Sequence, residues 1–594
     1  MGTAADLQSE WARLVIDSFV QAGVRDAIIS PGSRSTPFVI AALEHEGLGC
    51  TSALDERSGA YYALGQARSS LRPSLLLCTS GSAPANYFPA VIEASEAGVP
   101  LIVLSADRPP ELHRCGANQT TDQIGLYGNK VRFFANLGEP RDDALSLRAG
   151  RRIVAQAVSE ALGIKPGPVH INAPARKPLE PSRSHGEIQA RVDAILGEPL
   201  TQLHRIRPLD PKLVEPVSPL VVDSVAQALD AAARPVILCG PADLRSAMFV
   251  DVLDELVERL GAVLLAETTS QFRCRAASRA LGAFDTIWRT ASGRSMCLPD
   301  FVLQLGASPI SKGWEQLCAT NRIRRIVVHP WDWADPASSA EAIVQADIGS
   351  FLTALGQFTY SPARRDQDFV AGFDWAESAV WDEVFAIIGL AGDALTQAGA
   401  SGALLEAVPD PSALVLGNSL PIRDVDTWAP PSEKLLAVYC QRGVSGIDGV
   451  VSGAAGVAAS VAGATTLLVG DVSFLHDING LQLASRLTTP LVIVVVNNGG
   501  GRIFEQLPIA RDGNEAWLPY FTTPHHAHLA GAASLYGCEF QRVDTVTDFR
   551  KALELGYARD GCTVIEAVVP PQSALTQGRN LIARVERALQ REAC

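Results

Sequence analysis

Short apolar runs recur along the chain, separated by longer stretches in which apolar positions repeat every three to four residues. The first four runs are Ala27 to Ile29, Leu75 to Leu77, Leu101 to Leu104 and Val169 to Ile171. Runs that are apolar at consecutive positions suit strands covered on both faces, and the helical stretches between them make parallel βαβ units. The opening helix has Leu7, Trp11, Leu14, Val15 and Phe19 on one face, and Gly23 ends it ahead of the first strand. From Pro174 to about Pro219 the chain is rich in Pro, Arg and polar residues without a sustained period. This predicts a surface linker after a first domain that closes near Pro181.

A second unit follows, with strands expected at Val236 to Leu238, Val263 to Leu265, Phe301 to Leu305 and Ile326 to Val328, and it fades between Ser361 and Asp368. A third starts near Phe373 and carries strands at Leu414 to Leu416, Leu436 to Tyr439, Thr466 to Val469, Leu491 to Val496 and Val564 to Val568. The pattern predicts an α/β fold of three domains, each built on a parallel sheet, with no short-period repeat.

The chain has 594 residues, enough for several packed cores, and 47% of them are hydrophobic against 19% charged, which excludes a disordered or fibrous chain. Its 50 Lys and Arg against 64 Asp and Glu give a net charge of −14, which offers no electrostatic footprint for nucleic acid and leaves small anions to local Arg pockets. The eleven cysteines never form a C-x-x-C pair; with an N-terminus that has no basic and apolar leader pattern, they predict a reducing cytoplasm. Cys78 and Cys440 end strands and are expected to be buried small apolar side chains. Gly449 to Gly470 runs 22 residues without a charge, but it is made of small residues ending in a β-rich run, so a buried helix followed by a buried strand is expected rather than a membrane span.

The sequence holds no phosphate-loop, zincin or serine-hydrolase signature. Instead, Gly470-Asp471-Val472-Ser473 follows one strand and Asn497-Asn498 ends the next, both at the carboxyl edge where open parallel sheets bind ligands. Such a turn is often no more than a helix cap. Here Asp471 and Asn498 stand 27 residues apart, and Asp471, Asn498 and a carbonyl from the following glycines, Gly500 among them, would make a hard-oxygen site for Mg²⁺ that bridges to a diphosphate. Glu56 opens a helix of small residues, Ala60, Ala63, Gly65 and Ala67. It could serve the helix dipole alone, or share a proton with a heterocyclic nitrogen and so create a base on a bound cofactor.

Further segments carry a resemblance. Ser30 to Pro37, Ala106 to Leu112, Gly116 to Gln119, Gly417 to Asp424, Arg442 to Gly449, Ser473 to Asp477 and Asn497 to Phe504, in that order, resemble the 2-succinyl-5-enolpyruvyl-6-hydroxy-3-cyclohexene-1-carboxylate synthases, a family of thiamine diphosphate (ThDP)-dependent enzymes. The likeness runs from about Glu10 to Val569. It implies a ThDP decarboxylase-like architecture with a pyrimidine-binding domain over 1–185, a central domain over 200–365 and a diphosphate-binding domain over 373–594. It further implies decarboxylation of 2-oxoglutarate on ThDP and addition of the four-carbon unit to isochorismate, a step of menaquinone synthesis. Because the cofactor of this superfamily lies between two subunits, the resemblance implies a homodimer or homotetramer, and Ala- and Gly-rich helices would suit such an interface.

Residue by residue, the resemblance makes Glu56 the catalytic carboxylate. It places Asn418, Ser419, Gly470, Asp471, Ser473, Asn498, Ile503 and Phe504 around ThDP, and Asp471, Asn498 and Gly500 around Mg²⁺ or Mn²⁺. Substrate contacts fall to Ser33, Arg34, Arg108, Asn118, Gln119, Lys312, Arg423 and Arg442, in keeping with the fit of Arg forks to carboxylates. Each Arg alone could equally be a solvated charge. Gly313 stands where the family often has a second basic residue, and Gln441 where it often has Asn. His525 and His526 carry no metal-ligand spacing and read as a loop or helix cap. The residues leave two competing readings, a ThDP carboligase for a smaller 2-oxo acid and a catalytically silent homologue.

Overall fold

The computed structural model describes residues 4–181, 186–202, 217–275, 278–510 and 516–592. Three parallel sheets form the frame. The first contains β1 (Asp26–Ile29), β2 (Gly49–Ser52), β3 (Ser74–Cys78), β4 (Leu101–Asp107), β5 (Phe133–Asn136) and β6 (Val169–Pro174), in the order β2-β1-β3-β4-β6-β5. The central sheet holds β7 (Pro235–Cys239), β8 (Val263–Ala266), β9 (Phe301–Leu305), β10 (Arg324–His329) and β11 (Ala342–Gln345), in the order β11-β10-β9-β7-β8. The third is built from β12 (Ser412–Leu416), β13 (Leu436–Cys440), β14 (Thr465–Gly470), β15 (Pro490–Asn497), β16 (Glu539–Val543) and β17 (Gly561–Val568), in the order β13-β12-β14-β15-β17-β16.

The first and third sheets therefore share one topology, each reversing direction between its first and third strands. At such a reversal the neighbouring crossover helices lie on opposite faces, which leaves a crevice at the carboxyl ends of the strands. The loops after β1 and β3, and those after β12 and β14, open at these crevices.

Apolar helix faces hold the units together. The helix Glu56–Ser70 crosses the helix Val450–Ala458, joining the first and third domains in one hydrophobic cluster with Tyr61, Tyr62, Val451 and Ala455. The crossing is close because it is lined by glycines: a Cβ on Gly65 would lie 2.0 Å from the Gly453 carbonyl, and one on Gly456 would lie 2.0 Å from that of Tyr62. The small-residue surfaces expected at a subunit interface are thus used inside the chain. Among the described residues, no helix is long and apolar enough to cross a membrane.

Helices run into both expected linkers, and the third unit's expected start near Phe373 falls inside one of these helices. Within the supposed linker, Glu187–Leu196 forms a helix whose Val192 and Ile195 join the core of the first domain, because its apolar positions recur on one face between polar ones. Position 373 lies inside the helix Gln367–Leu390, whose Phe373, Val380 and Val384 pack between the central sheet and the C-terminal helix through Val236, Val302 and Leu581.

Candidate functional site

The third domain assembles the residues expected to hold a diphosphate and a cation. Asp471, 2% exposed, accepts from Val472 N at 2.7 Å through Oδ1 and from Gly500 N at 2.8 Å through Oδ2. Burial raises its pKa, while these backbone donors and His525 act in the opposite direction. Asn498, also buried, donates from Nδ2 to Gln397 Oε1 at 3.2 Å, and its Oδ1 is a buried oxygen without a hydrogen-bond partner. The Gly500 carbonyl accepts from Arg502 N and keeps a second lone pair. No group of three or more His, Cys, Asp or Glu among the described residues could hold a metal. A cation here would rest on one carboxylate, an amide oxygen and a carbonyl, the hard set that suits Mg²⁺, and the orphaned Asn498 oxygen fits that use.

Asn418 fastens the neighbouring loops, donating from Nδ2 to the carbonyls of Gln441 at 2.8 Å and Gly446 at 2.7 Å. Ser419 follows at φ +74°, a costly conformation for a side-chain-bearing residue and one that clusters at ligand-binding turns. At the end of β14, Gly470 faces open space, and Ser473 is buried in the short helix Asp471–His476. Ile503 and Phe504 are half-buried past the glycine loop, where the Phe504 ring lies 5.8 Å from that of Phe521.

In the first domain, Glu56 is half-buried at the start of its helix, behind Asp55, which caps the helix by accepting from Arg57 N and Ser58 N. Arg57 donates to the His476 carbonyl at 2.9 Å and Asn479 to Asp55 at 2.9 Å, which fixes this helix end against the third domain. Arg34 and Arg108 emerge after β1 and β4 and are both buried. Arg34 donates from Nη1 to the Ala175 carbonyl at 2.7 Å, and Arg108 donates from Nε and Nη2 to that of Asn118. Each keeps one buried N–H without a partner, Arg34 Nε and Arg108 Nη1. Burial lowers the Arg34 pKa, and the Arg108 charge lowers it further. Two unsatisfied cations this close suit an anion. Ser33, Asn118 and Gln119 are exposed at the same rim, where Gln119 donates to the Ser80 carbonyl at 3.1 Å.

A second cationic group forms where the third domain meets the central one. Arg423 donates to the Ser419 carbonyl at 2.6 Å, and burial followed by the Arg442 charge lowers its pKa. Arg442 donates to Asn418 Oδ1 at 3.3 Å. Lys312 opens the helix Lys312–Thr320 and is exposed. No hydrogen bond or ion pair among the described residues joins these three to Arg34 or Arg108.

Gly313 has a packing cause: its N–H donates to Asp285 Oδ1 at 2.9 Å, and a Cβ there would meet the Asp285 carbonyl at 2.4 Å. A second basic side chain has no room. Gln441 spends its longer arm inward, donating to the Gly449 carbonyl at 3.1 Å. Cys440 is only half-buried and lines a cavity of about 930 Å³ between the domains, whereas Cys78 is fully buried.

His525 lies in a loop, as expected, where its Nδ1 accepts from Ala527 N at 3.3 Å; what sequence reasoning missed is that its Nε2 lies 3.3 Å from Asp471 Oδ2, beside the expected cation site. Only the fold could reveal this, because the turn at Thr522 to Pro524 folds back over Gly500. Gln397 and Asp424, behind Asn498, were also missed.

The first domain matches the model of the thiamine pyrophosphate enzyme N-terminal TPP binding domain over residues 10–126, and the third that of the C-terminal TPP binding domain over 436–567. A solved thiamin diphosphate-dependent enzyme from Mycobacterium smegmatis shares the fold with a TM-score of 0.68 at 18% identity, over 96% of this chain and 100% of that one. Fold and site together define a thiamine diphosphate-dependent enzyme. The 2-succinyl-5-enolpyruvyl-6-hydroxy-3-cyclohexene-1-carboxylate synthase of Sorangium cellulosum is 42% identical, over 98% of this chain and 96% of its own. Those of Geobacillus kaustophilus and Halobacterium salinarum are 39% and 37% identical over 95% and 98% of this chain, and 95% and 99% of theirs. The chain belongs to this synthase family.

Proposed function

We propose that the chain forms 2-succinyl-5-enolpyruvyl-6-hydroxy-3-cyclohexene-1-carboxylate from 2-oxoglutarate and isochorismate, with loss of CO₂, for menaquinone synthesis in the cytoplasm. The observation that carries the substrate class is the pair of buried, incompletely satisfied guanidiniums of Arg34 and Arg108, since both substrates are dicarboxylates. Bound ThDP supplies a carbon nucleophile and an electron sink for the decarboxylation.

The chain's own residues place and protect that chemistry. Glu56 would hold a proton against a ring nitrogen of the bound cofactor. Asp471, Asn498 and the Gly500 carbonyl hold Mg²⁺ or Mn²⁺, and Asn418, Ser419, Gly470 and Ser473 frame the diphosphate. Ile503 and Phe504 line the pocket and exclude water. Arg34 and Arg108, flanked by Ser33, Asn118 and Gln119, take carboxylates from one side; Arg423, Arg442 and Lys312 take them from the other.

The two cationic groups form one pocket in a homodimer, or a pair of dimers, in which the first domain of one subunit faces the third domain of its partner. Exposed apolar residues support this assembly: Leu54 beside Glu56 is 70% exposed, and Trp517 and Tyr520 near the glycine loop are 57% and 85% exposed. The test supplies 2-oxo-[1-¹³C]glutarate and isochorismate and follows ¹³CO₂ together with the mass of the product. Release that needs ThDP, with the succinylated product formed in equal amount, is the expected result; ¹³CO₂ without that product would refute the assignment. Sedimentation of the ThDP complex as a monomer would refute the shared pocket.

A further inference from the structure

The amide of Asn498 has two chemically different ends, and its surroundings distinguish them. Nδ2 donates to Gln397 Oε1, and Oδ1 is buried without a partner. Gln397, 2% exposed at the start of the helix Gln397–Ala407, donates from its own Nε2 to Asp424 Oδ2 at 2.7 Å. Asp424 is buried in the helix Leu420–Trp428, next to Arg423.

Shape alone decides little here, because an amide turned end for end fills nearly the same volume. Donor and acceptor character decides it. A carboxylate only accepts, so Asp424 takes the NH₂ end of Gln397, whose oxygen is left facing Asn498. That oxygen in turn takes the NH₂ end of Asn498 and leaves Oδ1 as the free end. Burial pushes the Asp424 carboxyl up to about 7, and the Gln397 bond and the Arg423 charge act against that rise, favouring the ionised form.

We propose that Gln397 and Asp424 are positioning residues, a buried relay that fixes which end of the Asn498 amide meets the cation and thereby sets the affinity of the site for divalent metal. The proposal rests on the metal reading of Asp471 and Asn498 above. Gln397 lies outside the motifs that carry the family resemblance, Asp424 closes the Gly417 to Asp424 motif without a role assigned to it there, and neither touches the metal in this scheme.

The test measures Mn²⁺ binding by electron paramagnetic resonance of the free ion, with ThDP present, at pH 8, where Asp424 is ionised. Asp424→Asn allows the next amide to bind either way round, and the affinity for Mn²⁺ should fall by roughly 10- to 100-fold, the usual effect of removing a partner behind a ligand. Gln397→Glu alone sets two carboxylates side by side and should weaken binding similarly. The double variant Asp424→Asn/Gln397→Glu should recover most of the affinity, because the carboxylate at 397 then accepts from amides on both sides. A role in packing alone predicts no such recovery.

Unchanged affinity in Asp424→Asn, or a double variant no better than its parents, would overturn the relay. Thermal unfolding without metal checks that each variant folds. Should Asp424→Asn fail to fold, Gln397→Met, which keeps the volume and removes both bonds, carries the same test, and unchanged affinity there overturns the relay as well. Equal Mn²⁺ affinity in wild type and Asp471→Ala would instead overturn the metal reading itself.

Discussion

Replacing Arg34 by Met separates two reasons for burying a guanidinium. In the free protein the change removes the Nη1 bond and strands the Ala175 carbonyl, which is fully buried, at a cost of about 1–3 kcal/mol. It also removes the unpartnered buried Nε, whose desolvation is unfavourable by a similar amount, and relieves the repulsion from Arg108 while giving up the attraction of Asp107. The opposing terms leave the stability of the free protein within about 1 kcal/mol of wild type. With a carboxylate bound the balance differs, because loss of one partner from a buried charge-assisted pair costs about 2–5 kcal/mol. At 1.4 kcal/mol per decade, kcat/KM should fall roughly 30- to 4000-fold. Calorimetric unfolding of the free protein and steady-state kinetics with each substrate varied read the two quantities. A variant with kcat/KM within about threefold of wild type and a large loss of stability would refute the reasoning and make Arg34 a structural residue.

Glu56→Gln should bind ThDP nearly as well as wild type, by fluorescence quenching, while kcat falls roughly 100-fold or more; unchanged turnover would remove Glu56 from the chemistry. Gly456→Val places carbon against the Tyr62 carbonyl at the helix crossing and should cost about 1–3 kcal/mol or more in denaturant unfolding, with Gly456→Ala intermediate. Asp477 is fully buried, accepts from Ser452 N and Oγ, and is pushed up to about 6 by burial. Its native form holds the proton more tightly than the unfolded chain does, so this group's stabilisation is complete below its ordinary pKa of 3.8 and is lost as pH rises to about 6. Asp477→Asn should remove about 3 kcal/mol of that decline, seen in the pH dependence of urea unfolding; an unchanged slope would mean that Asp477 does not titrate there.

The strands expected from apolar runs are all strands, because most are covered on both faces and so are mainly apolar: β3, β4, β7, β9 and β12 are buried at every position, with a few polar residues such as Asp107 and Gln304 among them. The strands that escaped notice are edge strands. Gly49–Ser52, Phe133–Asn136, Ala342–Gln345 and Glu539–Val543 each pair on one side only and are partly exposed, so their composition is mixed and short. The shared topology of the first and third domains leaves no sequence repeat for a similar reason, since the same strand order tolerates any close-packed apolar filling.

The candidate site was legible where one loop carries several functional groups in a row, as at Ser30 to Pro37 and Gly470 to Ser473. It was illegible where a residue acts through distance in the fold. His525 reaches Asp471 by a loop that folds back, Gln397 reaches Asn498 from a helix with no motif, and Gly313 reflects a backbone approach by Asp285 that a sequence does not display.

The central claim is a ThDP-dependent joining of a 2-oxo acid to isochorismate. Purified protein with Mg²⁺, ThDP, 2-oxoglutarate and isochorismate is followed by the loss of isochorismate absorbance, beside one cuvette without ThDP and one with pyruvate in place of 2-oxoglutarate. Consumption only in the complete mixture is the predicted result. Consumption that continues without ThDP, or equally well with pyruvate, or no consumption by folded protein that binds ThDP, would contradict the account.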